Sequence, residues 1–283
     1  VSIEKAKQLI DGIEDLPTLP EVVIEITRLV ENPDTTAEDI YKIVSTDVSL
    51  SATMLKLVNS AFYGMSRTIT SLEKAIRILG FATVRNIALA AFVFDAFVSG
   101  KNAIDYRGFW LHSIAAASAS DVLARRMRVK EIGEYFVYGL LHDLGIVVMM
   151  QYLPDELAAV KSRVLEGGTL GEAERDVIGC THNELGAALA ERWDFPESLV
   201  AVIEHHCMRE LPGEFKRETA AVTCANAIVT ALEIGAALHW KVNVVQDEVW
   251  ELVGVAPDQL GGIMDEVLAE LEHSRSFIEL LYR

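Results

Sequence analysis

The stretch Phe136-Val137-Tyr138-Gly139-Leu140-Leu141-His142-Asp143-Leu144-Gly145-Ile146-Val147-Val148-Met149-Met150 is apolar almost without a break, apart from one histidine and one aspartate at its centre. It shows no apolar–polar alternation, so it does not read as a half-buried strand. It predicts a helix over 131–152, buried all round, with His142 and Asp143 in its middle. Gly139 and Gly145 leave room for neighbouring helices to come close. A buried carboxylate is costly unless a cation or hydrogen-bond donors meet it, so Asp143 demands partners from elsewhere in the chain.

Outward from this stretch the pattern stays helical. Segments rich in Ala, Leu, Glu and Val with 3.6-type spacing predict helices near 2–11, 20–31, 36–45, 49–58, 71–79, 81–98, 106–127, 155–166, 170–179, 182–192, 196–206, 217–237, 246–253, 257–272 and 275–282. Thr35 with Glu38, Thr70 with Glu73, Thr169 with Glu172 and Thr181 with Glu184 fit the Thr-x-x-Glu capping box, and Pro196 suits a first helical turn. The fold class is therefore all-α, a multi-helix bundle. The polar stretch Ser99–Asp105 is the best internal boundary, separating an N-terminal subdomain (1–100) from a C-terminal one (101–283) that holds every histidine.

Composition narrows the function classes. The chain has 283 residues, 51% hydrophobic and 24% charged, which suits a globular protein and not a disordered one. With 42 acidic against 25 basic side chains, the net charge of −17 repels phosphate backbones and anionic lipid. Nucleic acid and membrane are thus not expected as partners. No apolar stretch reaches the ~20 residues of a spanning helix, and Val1–Gly12 has no signal-peptide pattern. Three sparse cysteines argue against a disulfide framework and for a reducing, cytoplasmic setting.

All seven histidines follow position 111. His112 precedes Ala116, Ala119 and Ser120, a stripe small enough for close helix packing. His182 stands behind the Thr181 cap, and His205-His206 end the helix that starts at Pro196. Imidazoles with a carboxylate suit Fe, Mn, Ni or Zn, and a carboxylate can bridge two ions. Helices each presenting one or two such groups make a metal site in a bundle core; a satisfied polar network in the core is the alternative. His239 and His273 have no matching neighbours. Cys180 and Cys207 read as small buried thiols. Arg125, Arg126, Arg128 and Lys130 suit a solvated helix C-terminus, or else a contact for an acidic partner or phosphate. Asn59 is expected to bond to backbone, and Phe62, Tyr63, Phe81, Phe92, Phe94 and Phe97 to be core.

The order His112, His142-Asp143, His182, His205-His206 resembles the HD superfamily of metal-dependent phosphohydrolases, above all the HD-GYP phosphodiesterases. The N-terminal half resembles the HDOD family (HD-related output domain). Its marks are Leu16-Pro17-Thr18-Leu19-Pro20, Asn32-Pro33-Asp34, Thr46-Asp47-Val48-Ser49-Leu50, Leu57-Val58-Asn59-Ser60-Ala61-Phe62-Tyr63 and the Ile69–Gly80 segment. The resemblance covers roughly residues 11–210. It implies an HD-like helical core preceded by a smaller helical subdomain, with the C-terminal part as a helical extension.

Residue by residue, the resemblance implies a first metal position at His112, His142 and Asp143, and a second at Asp143, His182, His205 and His206. Departures from the family pattern are as informative. The later Asp of the first position is matched by Asn226, a neutral ligand. The HD-GYP lysine is matched by Ile146, which cannot stabilise charge on a phosphate. Gly108 stands where a trinuclear site has Glu, and Cys207–Pro212 contains no Gly-Tyr-Pro. The ligand histidines persist while the substrate-handling groups do not. The expectation is a catalytically inactive signal-transduction module acting through protein–protein contacts, with one or two transition-metal ions retained. A metal-dependent phosphohydrolase of a phosphate ester or nucleotide is the alternative. The signalling partner, the oligomeric state and the metal among Fe, Mn, Ni and Zn stay open.

Overall fold

The structure, a computed structural model, describes residues 2–59, 67–98, 107–130, 132–207, 211–235, 242 and 244–281. The described residues form helices and connecting turns, with no strand. The N-terminal part contains α1 (Ser2–Asp11), α2 (Glu21–Glu31), α3 (Ala37–Val44), α4 (Val48–Val58), α5 (Leu72–Leu79) and α6 (Phe81–Val98). Then come α7 (Arg107–Arg126), α8 (Ile132–Leu141), α9 (Leu144–Tyr152), α10 (Pro154–Leu165), α11 (Leu170–Val177), α12 (His182–Arg192) and α13 (Glu197–His205). The chain continues through α14 (Lys216–Ala231), α15 (Asp247–Leu252), a 3-10 turn at Pro257–Gln259 and α16 (Leu260–Leu281). No single described helix is long and apolar enough to cross a membrane.

The capping boxes at Thr169 and Thr181 form as the sequence predicts, with Glu172 and Glu184 reaching back to the cap. Two others shift by one residue. Thr36, not Thr35, caps α3 and pairs with Asp39, because the hydroxyl of Thr35 is drawn off to the Leu29 carbonyl. Ser71, not Thr70, caps α5, its hydroxyl accepting from the Lys74 N–H. Pro196 is the N-cap of α13 and not its first helical residue.

The predicted 131–152 helix is broken. His142 and Asp143 lie in the gap between α8 and α9, and Asp143 adopts φ −96°, ψ 27°. The ring of His142 donates from Nδ1 to the Gly139 carbonyl at 2.7 Å, the acceptor an unbroken helix would give to the N–H of residue 143. The 217–237 helix ends at Ala231 for a different reason: Glu233 and Gly235 take positive φ. A Cβ on Gly235 would stand 2.5 Å from the Gly108 carbonyl oxygen and the His112 N–H, so only glycine lets this turn press against α7. At the C-terminus the two predicted helices, 257–272 and 275–282, are one continuous helix after the 3-10 turn.

Helix α7 is the axis of the bundle, buried continuously from His112 to Ala124 and packed against α8, α14 and α16. The small-residue stripe explains the closeness. A Cβ on Gly139 would meet the Ala116 carbonyl at 2.6 Å and the Ala117 Cα at 2.7 Å, so α8 lies almost backbone to backbone on α7. Helix α9 packs on α12, α12 on α13, and α1 on α12 with a Lys7–Glu191 ion pair at 2.7 Å. Phe92 and Phe97 of α6 pack on Trp193 at the end of α12, with ring centroids 5.0 and 6.1 Å away. The Trp193 indole donates to the Pro17 carbonyl at 3.0 Å, tying the Leu16–Pro20 segment to the same place.

Of the expected aromatic core, Phe92, Phe94 and Phe97 are buried and Phe81 is half-buried, while Phe62 and Tyr63 lie outside the described residues. The boundary Ser99–Asp105 also lies outside them, as do His239 and the side chain of His273. Asn59 bonds to backbone as expected: its Nδ2 donates to the Leu55 and Ile69 carbonyls, and its Oδ1 accepts from the Ile69 N–H. Two residues of the basic run find acidic partners within the chain. Arg125 and Arg126 pair with Glu270 and Glu266 of α16.

Candidate metal centre

Five elements converge on Asp143. Helix α7 brings His112, the α8–α9 gap brings His142 and Asp143, the first turn of α12 brings His182, the C-cap of α13 brings His206, and α14 brings Asn226. The rings of His112, His142, His182 and His206 and the Asp143 carboxylate are buried. Close approach of the helices makes this possible. A Cβ on Gly145 would run into the His182 carbonyl, and one on Gly186 would stand 2.8 Å from the Gly145 nitrogen.

The two carboxylate oxygens of Asp143 serve different pairs of rings. Its Oδ2 faces His142 Nε2 at 3.3 Å and His112 Nε2 at 3.9 Å. Its Oδ1 faces His206 Nε2 at 3.3 Å and His182 Nε2 at 3.6 Å. Two donors bound at about 2.1 Å to one ion, at tetrahedral to octahedral angles, stand about 3.0–3.4 Å apart. The Oδ1 side meets that spacing at His206 and exceeds it by about 0.2 Å at His182, and the Oδ2 side meets it at His142 only.

Hydrogen bonds on the far side of three rings orient them, and in two of them fix the tautomer. His142 Nδ1 faces the Gly139 carbonyl at 2.7 Å, His206 Nδ1 the Ile203 carbonyl at 3.0 Å, and His182 Nδ1 the Glu174 carboxylate at 2.7 Å. A carbonyl or carboxylate oxygen only accepts, so in His142 and His182 Nδ1 carries the proton and the Nε2 lone pair points at Asp143, whereas His206 Nδ1 also faces the Asn183 Nδ2 donor at 3.1 Å. The Nε2 atoms of His142 and His206 are buried without a hydrogen-bond partner. A lone pair facing a carboxylate oxygen is repulsive unless positive charge lies between them. Metal ions or protons supply that charge. His206 is accordingly pushed up to about 10: burial works against its charged form, and the neighbouring Cys207 and Asp143 outweigh burial. His182 is raised well above the usual range, burial again opposing and Glu174, Cys207 and Asp143 prevailing.

The Oδ2 side is organised differently. His112 Nε2 lies 3.1 Å from Asn226 Oδ1, which also accepts from Thr230 Oγ1 at 3.3 Å, while Asn226 Nδ2 faces Cys207 Sγ at 4.0 Å. That set of partners orients the amide with its oxygen toward His112, and the ring donates to it. His205 stands apart: its ring is about one-quarter exposed, with Nε2 3.6 Å from Glu204 Oε2, and it belongs to neither cluster of metal-ligating atoms. Those clusters are His112, His142 and Asp143, and His182, His206 and Cys207, each with its donor atoms within 4.8 Å of one another.

Three residues at the centre were not singled out from the sequence as contributors to it. Glu174 is fully buried and holds both the ring and the N–H of His182. Its signal was present: Leu170, Ala173, Glu174 and Val177 follow i, i+3, i+4, i+7 spacing, which puts a carboxylate on the apolar stripe. Asn183 donates to the Ile203 carbonyl at 3.1 Å, beside the His206 ring, and gave no such signal. Cys207, expected as a buried thiol, is half-buried, because the chain leaves α13 at His206. Cys180 is fully buried as expected, and burial pushes its thiol up to about 11.

A buried His-Asp centre between the helices of an all-α bundle is the architecture of the HD-related proteins, and comparison with known proteins places the chain among them. It matches the HDOD domain over residues 16–208 and belongs to that family. A protein of Treponema pallidum (strain Nichols) is 32% identical over 240 residues, covering 81% of this chain and 45% of the relative. The chain thus spans about half the length of that relative. Among solved structures, an HDOD domain protein of Geobacter sulfurreducens is 26% identical, with a TM-score of 0.73 over 99% of this chain and 96% of the other. The same fold occurs in a candidate signal-transduction protein of Marinobacter aquaeolei VT8, at 22% identity and TM-score 0.75, covering 99% and 65% of the two chains. It occurs again in a candidate phosphohydrolase of Shewanella amazonensis SB2B, at 24% identity and TM-score 0.72, covering 96% and 97%.

Proposed function

We propose that this HDOD protein is a catalytically inert signalling module that acts through protein–protein contacts and holds one transition-metal ion as a structural pin. Asp143, His182 and His206 would hold it. The observation that carries this reading is the His112–Asn226 hydrogen bond at 3.1 Å. It places a neutral amide, already bonded to the ring, where a hydrolytic centre needs an anion to hold a second ion. Ile146, in the first turn of α9 and buried, adds no cation for a phosphate.

Binding such an ion stabilises the folded state, because the ligands come from separate elements and are assembled only on folding. The family match and the fold shared with a candidate signal-transduction protein support the signalling part. The partner is a protein, since the net charge of −17 disfavours nucleic acid and anionic lipid.

A second reading, metal-dependent phosphohydrolysis, is favoured by one feature: Asp143 offers an oxygen to each of two histidine pairs, as a carboxylate bridging two ions does. Elemental analysis of the purified protein, with assays on an aryl phosphate and on cyclic dinucleotides, separates the two. One ion per chain and no turnover is the expected result. Turnover abolished by Asp143→Ala would establish the hydrolase instead, and the absence of any ion after expression in supplemented medium would leave the centre as a protonated polar network.

A further inference from the structure

We propose that the Cys207 thiolate is a further ligand of the ion held by Asp143, His182 and His206, making a Cys-His-His-Asp donor set that prefers zinc over manganese or iron. This rests on the metal reading above and goes beyond it in naming the ligand, the metal and the coordination.

Three observations meet at this sulfur. The Sγ lies within 4.8 Å of ring nitrogens of both His182 and His206. His206 Nε2, buried and without a hydrogen-bond partner, faces Asp143 Oδ1 at 3.3 Å, on the side of the carboxylate that His182 shares. Asn226 Nδ2 faces the sulfur at 4.0 Å, so the amide N–H is turned toward it as toward an acceptor. An aspartate at 226 would set a carboxylate against the sulfur; the amide instead supports negative charge there. The centre thus lacks an anion at Asn226 and gains one at Cys207, and the ligand set moves from the Oδ2 side of Asp143 to the Oδ1 side.

The geometry permits closure. Zinc holds sulfur at about 2.3 Å and imidazole at about 2.1 Å, which sets the sulfur about 3.5 Å from each ring nitrogen. The sulfur lies within 4.8 Å of each ring nitrogen, so it has at most about 1.3 Å to move to reach that separation, and Cys207 is half-buried just beyond the end of α13. On binding, the thiol loses its proton to solvent, the sulfur gives an electron pair to the ion, and no redox step is needed. One sulfur, two nitrogens and one oxygen complete a tetrahedral site. A closed site of this kind leaves no position for substrate, and soft sulfur discriminates against manganese.

Exchange of the purified protein's metal for cobalt(II) tests the ligand directly. The expected result is one cobalt per chain with a sulfur-to-cobalt charge-transfer band in the near ultraviolet, displaced by zinc. In Cys207→Ser the band disappears and zinc affinity falls at least tenfold. Cobalt bound without that band overturns the thiolate and leaves the metal reading standing, whereas no cobalt bound overturns both. A band that survives Cys207→Ser also overturns the proposal. Should the variant fold poorly, alkylation of the native protein decides: zinc is expected to slow labelling of Cys207 more than tenfold, and an unchanged rate contradicts ligation. Cys180 and Cys224, both fully buried, serve as internal controls.

Discussion

The Glu174 carboxylate accepts a hydrogen bond from Nδ1 of His182 at 2.7 Å, with both groups buried. A carboxylate behind an imidazole fixes its tautomer and raises the basicity of the opposite nitrogen, the one that faces Asp143. Glu174→Gln keeps the shape and removes the charge. Metal affinity is expected to fall about tenfold or more, read by competition with a chromogenic chelator. An unchanged affinity would show that the ring is held by packing alone.

Gly145 lies where α9 meets the first turn of α12, with no room for a methyl group. Gly145→Ala has to push the two backbones apart, and overpacking of this kind costs about 3 kcal/mol. Urea unfolding should show that loss together with weakened metal binding, because the displaced strand of chain carries His182. Gly213→Ala, where the added Cβ meets nothing within 4 Å, is the control.

Asp121 is fully buried on α7 and pairs with Arg125 at 2.5 Å. Burial pushes its carboxyl up to about 7, against the pull of Arg125, and Glu270 adds to the rise. Between about pH 4 and pH 7 the folded state therefore holds a proton that the unfolded state has lost, and stability falls as pH rises through that window. Asp121→Asn removes the dependence. The variant's stability relative to the parent is expected to climb from pH 4 to pH 7 and level off above it, by about 4 kcal/mol at most. A flat difference between the two melting curves across that range contradicts it.

Asn226→Asp replaces the amide that bonds His112 with an anion. The side of Asp143 that faces His112 and His142 then has a charged ligand set, and a second ion per chain is expected. Metal stoichiometry by mass spectrometry under native conditions reads the change. If it stays at one, the spacing at His112, 3.9 Å from the carboxylate, and not the charge of residue 226, limits that position.

Asn59 makes three hydrogen bonds to backbone, at 2.6–2.7 Å, that join the end of α4 to Ile69. Asn59→Ala leaves part-buried backbone groups without partners and is expected to cost about 2 kcal/mol, with no effect on metal binding. Thermal melting and the chelator assay on one sample check both halves.

Much of this was legible in the residue order. Helical periodicity, the Thr169 and Thr181 boxes and the small-residue stripe after His112 are local properties, and local backbone sterics, entropy and hydrogen bonding decide them. The metal-ligating residue types and the family were legible too, since they depend on spacing along the chain. The break at His142-Asp143 was not, because its cause is a ring-to-carbonyl hydrogen bond that replaces a helix bond of similar strength.

Sequence alone determined that the chain is an all-α bundle with a buried His-Asp pair needing partners. Tertiary structure decided which partners those are. Adjacent residues on a helix point about 100° apart, so His206 joins the centre while His205 turns to the surface beside Glu204. Distant residues meet only when backbones pack closely enough, as Gly139 allows against α7 and Gly145 against α12. Those contacts are long-range, and no local signal along the chain specifies them.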